Sequence, residues 1–464
     1  MTVRSKYSSK RRSHSSKKLE HRILHSDWSG GVILIFFTLV AIALANIPAT
    51  SHLYHWFFGE MQVGISVAGK FFGGTLEYLI NDGLMVIFFF YVGLEIKREI
   101  IAGQLSSVKQ ATLPVAAALG GMLVPALIYT LFNFAHPETV HGFGIPTATD
   151  IAFAVGVLSL LGNRVPLAPR VFLTALAIAD DLGAIIVIAL FYPSQSGIDV
   201  SMLIAAFVLL GYMFMLQRYN VYRLIFYIIP AIVVWILFLN SGIHATIAGV
   251  LIAITFPTTP RYSKKYLVYK GNYLLKSFIH KDKDDVELLG NEEQHAVAQS
   301  LIQVAKNSIS PSQRLEHELH SFVTFVIMPL FAFANSGISL IGSNIKFSDI
   351  LLAPESLGIF FGLVVGKPLG ITLMSWICVK LGLCTMPQGT SWKMLLGVAC
   401  LGGIGFTMSI FVTNLAFSGP DAAHYVTTGK ATILMASTIA GVLGFNILRS
   451  VSQRRIKNPH SYES

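Results

Sequence analysis

One segment limits the possible folds of this chain more than any other. It is residues 171–192, which read VFLTALAIADDLGAIIVIALFY. The run is apolar except for Thr174 and two adjacent aspartates at its midpoint, Asp180 and Asp181. At helical rise it spans ~33 Å, enough to cross the ~30 Å hydrocarbon core of a bilayer. A carboxylate at that depth costs roughly 2.5–3.5 kcal/mol on insertion scales. The pair therefore predicts a transmembrane helix with a functional site at its centre.

Composition and the recurrence of such runs predict an all-α polytopic membrane protein. Hydrophobic residues make up 53% of the 464 residues and charged residues 12%. The mean hydropathy of +0.63 excludes an ordinary soluble globular chain. The apolar runs predict about 12 transmembrane spans, at residues 29–47, 76–97, 112–133, 143–161, 171–192, 200–217, 223–239, 242–256, 319–341, 357–379, 394–416 and 424–448.

The basic residues predict how the chain is oriented in the membrane. The formal net charge is +10, but Lys and Arg lie in the tails and in alternate loops, as the positive-inside rule requires of cytoplasmic segments. We therefore expect contact with membrane lipid, no contact with nucleic acid, and both termini in the cytoplasm. The predicted division is a basic cytoplasmic tail, spans 1–8, a partly helical or disordered cytoplasmic insertion, spans 9–12 and a second cytoplasmic tail, at residues 1–27, 28–256, 257–318, 319–448 and 449–464.

Two predicted spans are interrupted at corresponding places. The fourth contains GFGIPTATD at 142–150, and the eleventh contains LGGIG at 401–405. Proline and clustered glycine break helical hydrogen bonding, which is tolerated at membrane depth only inside protein or beside a water-filled cavity. Each interrupted span is the middle of three, spans 3–5 and 10–12, and the loop charges give these groups opposite orientations. They predict inverted-topology repeats. Glycine for close helix packing is the more frequent explanation of either span alone, but it explains the matched pair less well.

The polar groups of these spans suit a small alkali cation. Oxygen atoms bind such hard cations, and Asp180, Asp181, Asp150 and Thr149 supply carboxylate and hydroxyl oxygens. Adjacent helical residues point ~100° apart, so one aspartate can hold the ion while its neighbour faces a cationic side chain. Lys367, within the tenth apolar span, is the expected partner.

The charges of these groups suggest how exchange would be coupled. Three ionised aspartates and one lysine leave the site near −2, which two protons neutralise and one Na⁺ neutralises only in part. Protons and cation therefore compete for the same groups, and exchange is predicted to move unequal charge. The two adjacent aspartates are expected to titrate as a coupled pair.

Two other classes of membrane protein fit the residues less well. A carrier of organic anions needs cationic groups around its substrate, whereas this midplane is net acidic. An intramembrane aspartyl protease needs a carboxylate dyad from separate helices, which adjacent Asp180 and Asp181 cannot form. We therefore expect a transporter and not an enzyme.

Several long motifs resemble the NhaA family of bacterial Na⁺/H⁺ antiporters, in matching order over about residues 28–448. The segments that carry the similarity are NDGLMVIFFFYVGLEIKRE at 81–99, IPTATDIAFAVGVLSLLGNRVP at 145–166, FLTALAIADDLGAIIVIALFY at 172–192, SGIHATIAG at 241–249, RLEHELH at 314–320, PLFAFANSGIS at 329–339, GKPLGI at 366–371 and GIGFTMSIFV at 403–412. The insertion 257–318 is longer than expected for the family, and only its end matches.

The resemblance implies a secondary transporter of the bacterial inner membrane that exchanges Na⁺ or Li⁺ for H⁺ by alternating access, is regulated by pH, extrudes sodium and controls internal pH. It assigns Asp180 and Asp181 as the Na⁺ and proton carriers and pairs Lys367 with Asp180. Asp150 and Thr149 are placed where two broken helices cross at the midplane, an arrangement already known for the family. No cofactor is implied besides the transported ions, and the outward loop 48–75 implies a homodimer.

Residues nearer the membrane surfaces are further candidates. The resemblance places pH control on three carboxylates, Glu95, Glu99 and Glu316. His244 and His317 fall in matching motifs and titrate near neutral pH, although a single histidine at a helix end is more often only hydrogen-bonded. Asp82, in the outer half of the second span, is expected to be structural or to lie on the exit route.

Overall fold

The computed structural model describes residues 27–67, 70–192, 197, 199–280, 292–338, 350, 352–417 and 421–457. Most of the predicted tail 1–27 therefore lies outside the described residues. The same holds for residues 458–464 of the second tail, 281–291 of the insertion, and 339–341 of the ninth span.

Helices account for nearly all regular structure in the described chain, so the predicted all-α membrane fold is confirmed. In chain order they are α1 (Asp27–Asn46), α2 (Pro48–His55), α3 (Leu76–Ala102), α4 (Val108–Asn133), α5 (Ile151–Leu160), α6 (Leu167–Phe191), α7 (Val200–Arg218), α8 (Ile225–Ser241), α9 (Ala245–Thr255), α10 (Lys264–His280), α11 (Glu292–Asn307), α12 (Pro311–Asn335), α13 (Pro354–Lys380), α14 (Trp392–Gly402), α15 (Phe406–Ala416) and α16 (Ala422–Lys457).

The number of full-length spans is smaller than the number of apolar runs. Among the described residues, nine helical segments are long and apolar enough to cross a membrane, and the bent pair α14 and α15 makes a tenth. The predicted spans 223–239 and 242–256 correspond to α8 and α9, which have 17 and 11 residues. Gly242 separates them at φ +81°, the left-handed conformation that commonly ends a helix. At helical rise α9 covers only ~16 Å, about half the hydrocarbon core.

Three long helices each contain a π-helical turn. These turns are Leu79–Leu84 in α3, Val323–Ile327 in α12 and Gly362–Gly366 in α13. A π-helical turn shifts the side chains that follow it around the helix, and such turns are frequent at functional sites. Lys367 follows the third turn directly.

The described residues of the insertion 257–318 form two packed helices, α10 and α11, and the start of α12. The side chain of Gln294 joins them, because its Nε2 donates a 3.1 Å hydrogen bond to the carbonyl of Phe278. Helix α12 begins at Pro311, earlier than the predicted start of the ninth span at 319. Ser310 caps it by accepting from the Gln313 N–H at 3.3 Å, and proline suits the first helical position.

The chain divides into two compact units. The first unit comprises Met1–Met85, Ala102–Tyr192 and Thr324–Ser464, and the second comprises Val86–Ile101 and Pro193–Val323. Both predicted repeats belong to the first unit. The second unit has its own core, in which the buried side chains include Tyr227, Phe238 and Phe256.

The segment 48–75, predicted to face outward, contains a β-hairpin. Strands β1 (Gln62–Val67) and β2 (Lys70–Thr75) pair antiparallel, with Gln62 opposite Thr75 and Val67 opposite Lys70. This stretch was expected to be a loop without strands, although QVGISV is rich in β-branched residues that favour strands.

Candidate cation- and proton-binding site

Both predicted helix interruptions are present. In the fourth span a 3-10 helix, Val140–Thr147, is followed by three non-helical residues and then by α5. Asp150 is the N-cap of α5, because its Oδ1 accepts a 3.0 Å hydrogen bond from the Phe153 N–H. In the eleventh span, α14 and α15 are separated by a three-residue break and bend by 46°. Helical hydrogen bonding therefore stops within each of these two spans.

The two breaks meet in the first unit and cross in opposite directions. The Asp150 N–H donates to the Ile404 carbonyl at 2.7 Å, and the Ser409 hydroxyl donates to the Ile145 carbonyl at 2.7 Å. Residue 145 precedes the first break whereas residue 409 follows the second, so the two segments run antiparallel. This is the geometry that an inverted repeat requires.

Asp150 satisfies the N-terminal ends of two half-helices. Its Oδ2 accepts from the Thr407 hydroxyl at 2.5 Å and from the Thr407 N–H at 3.2 Å, while its Oδ1 caps α5. The carboxylate is completely buried. A negative charge is favourable there because the first turns of α5 and α15 both present unsatisfied N–H groups and positive dipole ends.

Thr407 is a site residue that sequence analysis missed. It lies in GFTMS, in the first turn of α15, directly after the glycine-rich break. Its position at the start of a helix was the signal that could have identified it. The N–H groups of a first helical turn have no partner within the helix, so they are available to a group at the break.

Lys367 is buried against Asp180 and Thr149. Its Nζ forms an ion pair with Asp180 Oδ2 and a hydrogen bond with Thr149 Oγ1, and its side chain is 0% exposed. Thr149 Oγ1 also lies 2.6 Å from Asp180 Oδ2 and 2.8 Å from the Gly402 carbonyl. Because a hydroxyl has one hydrogen, it donates to one of these two acceptors at a time. Helices α6 and α13 and both breaks therefore contribute to one polar cluster.

One oxygen of the cluster lacks a donor. Asp180 Oδ1 is buried and accepts no hydrogen bond from any residue that the structure describes. Asp181, the next residue of α6, is 1% exposed, and its charge acts on Lys367. Because a buried acceptor without a donor is costly, Asp180 Oδ1 is suited to a proton or a cation.

The arrangement fits an alkali cation better than a transition metal. Within the described ranges no three His, Cys, Asp or Glu side chains are grouped as a metal centre would need. Oxygen ligands beyond the two aspartates would come from a hydroxyl or a carbonyl such as those of Thr149 and Gly402, and hard cations accept both kinds.

The carboxylates expected to respond to pH gather around one guanidinium in the second unit. Arg98 lies 2.7 Å from Glu316, 3.0 Å from Glu99 and 3.9 Å from Glu95. His317 lines the same cavity of about 490 Å³. Four of the residues predicted near the membrane surface are thus brought together.

The remaining candidates lie elsewhere. His244 precedes α9 in the second unit and is half-buried. Asp82 lies on the π-helical turn of α3, in the first unit, next to Asn81. The Asn81 side chain exchanges hydrogen bonds of 2.8 and 3.2 Å with Asn335, which also accepts from Asn414 of α15 at 2.7 Å.

The chain is similar to known proteins over most of its length. The family model described as "Na+/H+ antiporter 1" matches residues 21–448. The chain is 44% identical to a Na⁺/H⁺ antiporter NhaA of Wolinella succinogenes over 92% of each chain. It is 44% identical to Na⁺/H⁺ antiporter NhaA 2 of Syntrophotalea carbinolica, over 92% of this chain and 95% of the other. It is 43% identical to an NhaA antiporter of Salmonella typhimurium, over 93% of this chain and 97% of the other.

Proposed function

This chain belongs to the Na+/H+ antiporter 1 family, and we propose that it exchanges Na⁺ or Li⁺ for H⁺ by alternating access. It is a multi-pass membrane protein. The bacterial inner membrane is its proposed location, with both termini in the cytoplasm. Sodium extrusion and control of internal pH are the proposed physiological roles.

The observation that carries this proposal is the buried ion pair of Lys367 and Asp180 beside Asp181. Burying charges is expensive unless they are paired and hydrogen-bonded, and Lys367 contacts Oδ2 of Asp180. Asp180 Oδ1, which accepts no hydrogen bond from the described residues, then needs a proton or a metal cation. Because the proton and the cation bind the same carboxylate, binding of one displaces the other. This competition is the physical basis of exchange.

Each residue of the site has a proposed part in the exchange. Asp180 and Asp181 hold the cation or protons, and Lys367 neutralises Asp180 when the cation is absent. Thr149 orients its hydroxyl toward Asp180 or toward the break. Asp150 fixes the crossing of the half-helices, so that the cluster keeps its geometry while the surrounding helices move. No resident cofactor is required for these steps.

We propose two further properties of this chain. Control by pH is proposed to act through Arg98 and the carboxylates of Glu95, Glu99 and Glu316, which form one charged cluster with His317 beside it. The β-hairpin Gln62–Thr75 offers an edge for pairing with a second copy, which suits a homodimer.

The test is Na⁺-dependent proton movement in vesicles that contain the purified protein and a trapped pH dye. Asp180→Asn with Asp181→Asn is expected to abolish exchange, because neither amide can carry a proton or hold the cation as a carboxylate does. Asp199→Asn is the matched control, since asparagine also caps helices and Asp199 caps α7 outside the site. Exchange that survives the double substitution would contradict the proposal.

A further inference from the structure

A groove of about 610 Å³ follows the outer face of α13 and the start of α14. Its walls include Leu369, Leu373, Trp376 and Trp392, and Thr372 is the polar side chain among its described lining residues. Leu369 is 51% exposed, Trp376 45% and Trp392 39%. Because both helices belong to membrane-spanning segments, an exposed apolar groove on them faces hydrocarbon.

The length of the groove suits one acyl chain. Its lining residues on α13 run from Val364 to Trp376, a distance of ~18 Å at helical rise. One leaflet contributes about half of the ~30 Å hydrocarbon core. The groove therefore covers the depth that a single lipid chain occupies, from the midplane to the surface.

The surface end of the groove is positively charged. Residues 368–404 contain two charged residues, Lys380 and Lys393, and no Asp or Glu. The Lys380 ammonium lies 4.6 Å from the centroid of the Trp376 ring, and Lys393 follows Trp392 in the chain. Tryptophan marks the membrane–water interface, and lysine extends its ammonium to the headgroups.

We propose that this groove binds an anionic phospholipid of the cytoplasmic leaflet, with one acyl chain along α13 and the headgroup held by Lys380 and Lys393. The attraction between basic side chains and anionic headgroups selects the lipid class. Pro368 and Leu369 line or border the groove directly after Lys367. A bound acyl chain therefore packs against one side of this helical turn, and the buried Lys367 ammonium lies on the other side.

The test uses the two tryptophans of the groove as reporters. The sequence has five tryptophans, so replacing Trp28, Trp56 and Trp235 by Phe leaves only Trp376 and Trp392. The full-length protein is placed in phosphatidylcholine vesicles that contain a small fraction of brominated phosphatidylglycerol or brominated phosphatidylcholine with identical chains. Quenching is expected to show roughly 25-fold preference for the anionic lipid, because each of the two lysines near a charged headgroup contributes about fivefold.

Two sets of variants separate a groove from general attraction to basic residues. Lys380→Gln with Lys393→Gln is expected to remove the preference. Leu369→Phe with Leu373→Phe fills the groove, leaves both lysines, and is also expected to remove it. Leu127→Phe, at a side chain 63% exposed on α4, is the matched control and should change nothing. Thermal unfolding midpoints check that each variant is folded.

Three results would overturn the proposal. Equal quenching by the two lipids would show that the groove has no headgroup preference. A preference that persists after the groove is filled would show charge attraction without a site. No quenching by either lipid would show that protein, such as a second copy of this chain, covers the groove.

Discussion

At the scale of single residues, the environment of Lys367 explains why a lysine is tolerated in the tenth span. The ammonium is completely buried, yet it has a carboxylate and a hydroxyl oxygen as partners. Such a pair contributes little net stability by itself, but removing one partner leaves an uncompensated charge. The stability of the protein should therefore depend on both members together.

Lys367→Gln is expected to destabilise the protein by about 3–5 kcal/mol at alkaline pH, where Asp180 remains ionised without its counter-charge. Lowering the pH should recover stability, because protonation of the carboxylate removes that charge. Thermal unfolding midpoints across a pH series measure both effects. Adding Asp180→Asn should restore stability at alkaline pH, and Lys109→Gln, at an exposed position of α4, is the control. Equal midpoints for Lys367→Gln and the parent protein at every pH would be the contrary result.

A second residue-scale expectation concerns Thr407, which donates twice to the buried Asp150 carboxylate. Thr407→Val keeps the shape and the N–H donor but loses the hydroxyl. A hydrogen bond to a charged group contributes about 1.5–3 kcal/mol, so we expect a loss of stability in that range. Thr407→Ser should be close to the parent in thermal midpoint, and Thr427→Val, at a half-buried position of α16 where the hydroxyl donates to its own helix, is the matched control. A valine variant as stable as the serine variant would refute the role.

At the scale of elements, α4 and α13 pack through glycine. A Cβ at Gly120 would overlap the backbone carbonyl of Gly370, and one at Gly370 would overlap that of Gly120. Close backbone contact between membrane helices is typical of small residues at the interface. These helices are the first members of the two repeats, so their contact fixes how the repeats meet.

Gly120→Ala is accordingly expected to destabilise the protein by about 1–3 kcal/mol, because α4 and α13 must separate to admit a methyl group. Gly211→Ala in α7 is the matched control, since a Cβ there meets nothing within 4 Å. Alanine is the better helix former by up to about 1 kcal/mol, so that control should be neutral or stabilising. Thermal midpoints in detergent compare the two. The packing argument fails if both substitutions have the same effect.

At the scale of the whole molecule, the charge of the buried cluster sets what each transport cycle carries. The cluster contains the three carboxylates of Asp150, Asp180 and Asp181 and the ammonium of Lys367. All four side chains are buried in the first unit. Neutralising this cluster takes two protons, whereas one Na⁺ replaces only part of that charge. We propose that the outward and return steps therefore move unequal charge, so that exchange depends on the membrane potential.

Imposing a potassium-diffusion potential on vesicles is therefore expected to change the initial rate of Na⁺-dependent proton movement, in opposite directions for the two signs of potential. Moving one elementary charge through 100 mV is worth about 2.3 kcal/mol, enough for a several-fold effect on the rate. The same vesicles without the potassium ionophore serve as the control. Rates that do not change with either sign of potential would show that exchange is electrically silent.

Much of the site could be predicted because its members are polar residues in apolar runs. The free-energy cost of placing a charged side chain in the membrane distinguishes Asp180, Asp181 and Lys367 from their neighbours. The segments GFGIPTATD and LGGIG identify both breaks. Thr407 did not stand out, since a threonine in a membrane helix is common and usually bonds its own backbone. The gathering of Glu95, Glu99 and Glu316 around Arg98 joins residues more than 200 positions apart, which no local pattern indicates.

By itself, the sequence determined the membrane class, the approximate positions of the spans and the two interruptions, because hydrophobicity and helix-breaking are properties of local segments. Only the tertiary structure decided that the breaks cross antiparallel and that Asp150 caps both half-helices. It also decided that Lys367 contacts Oδ2 of Asp180 and that α9 is too short to cross the bilayer. These features depend on distances between segments far apart in the chain, and packing fixes such distances whereas residue order does not.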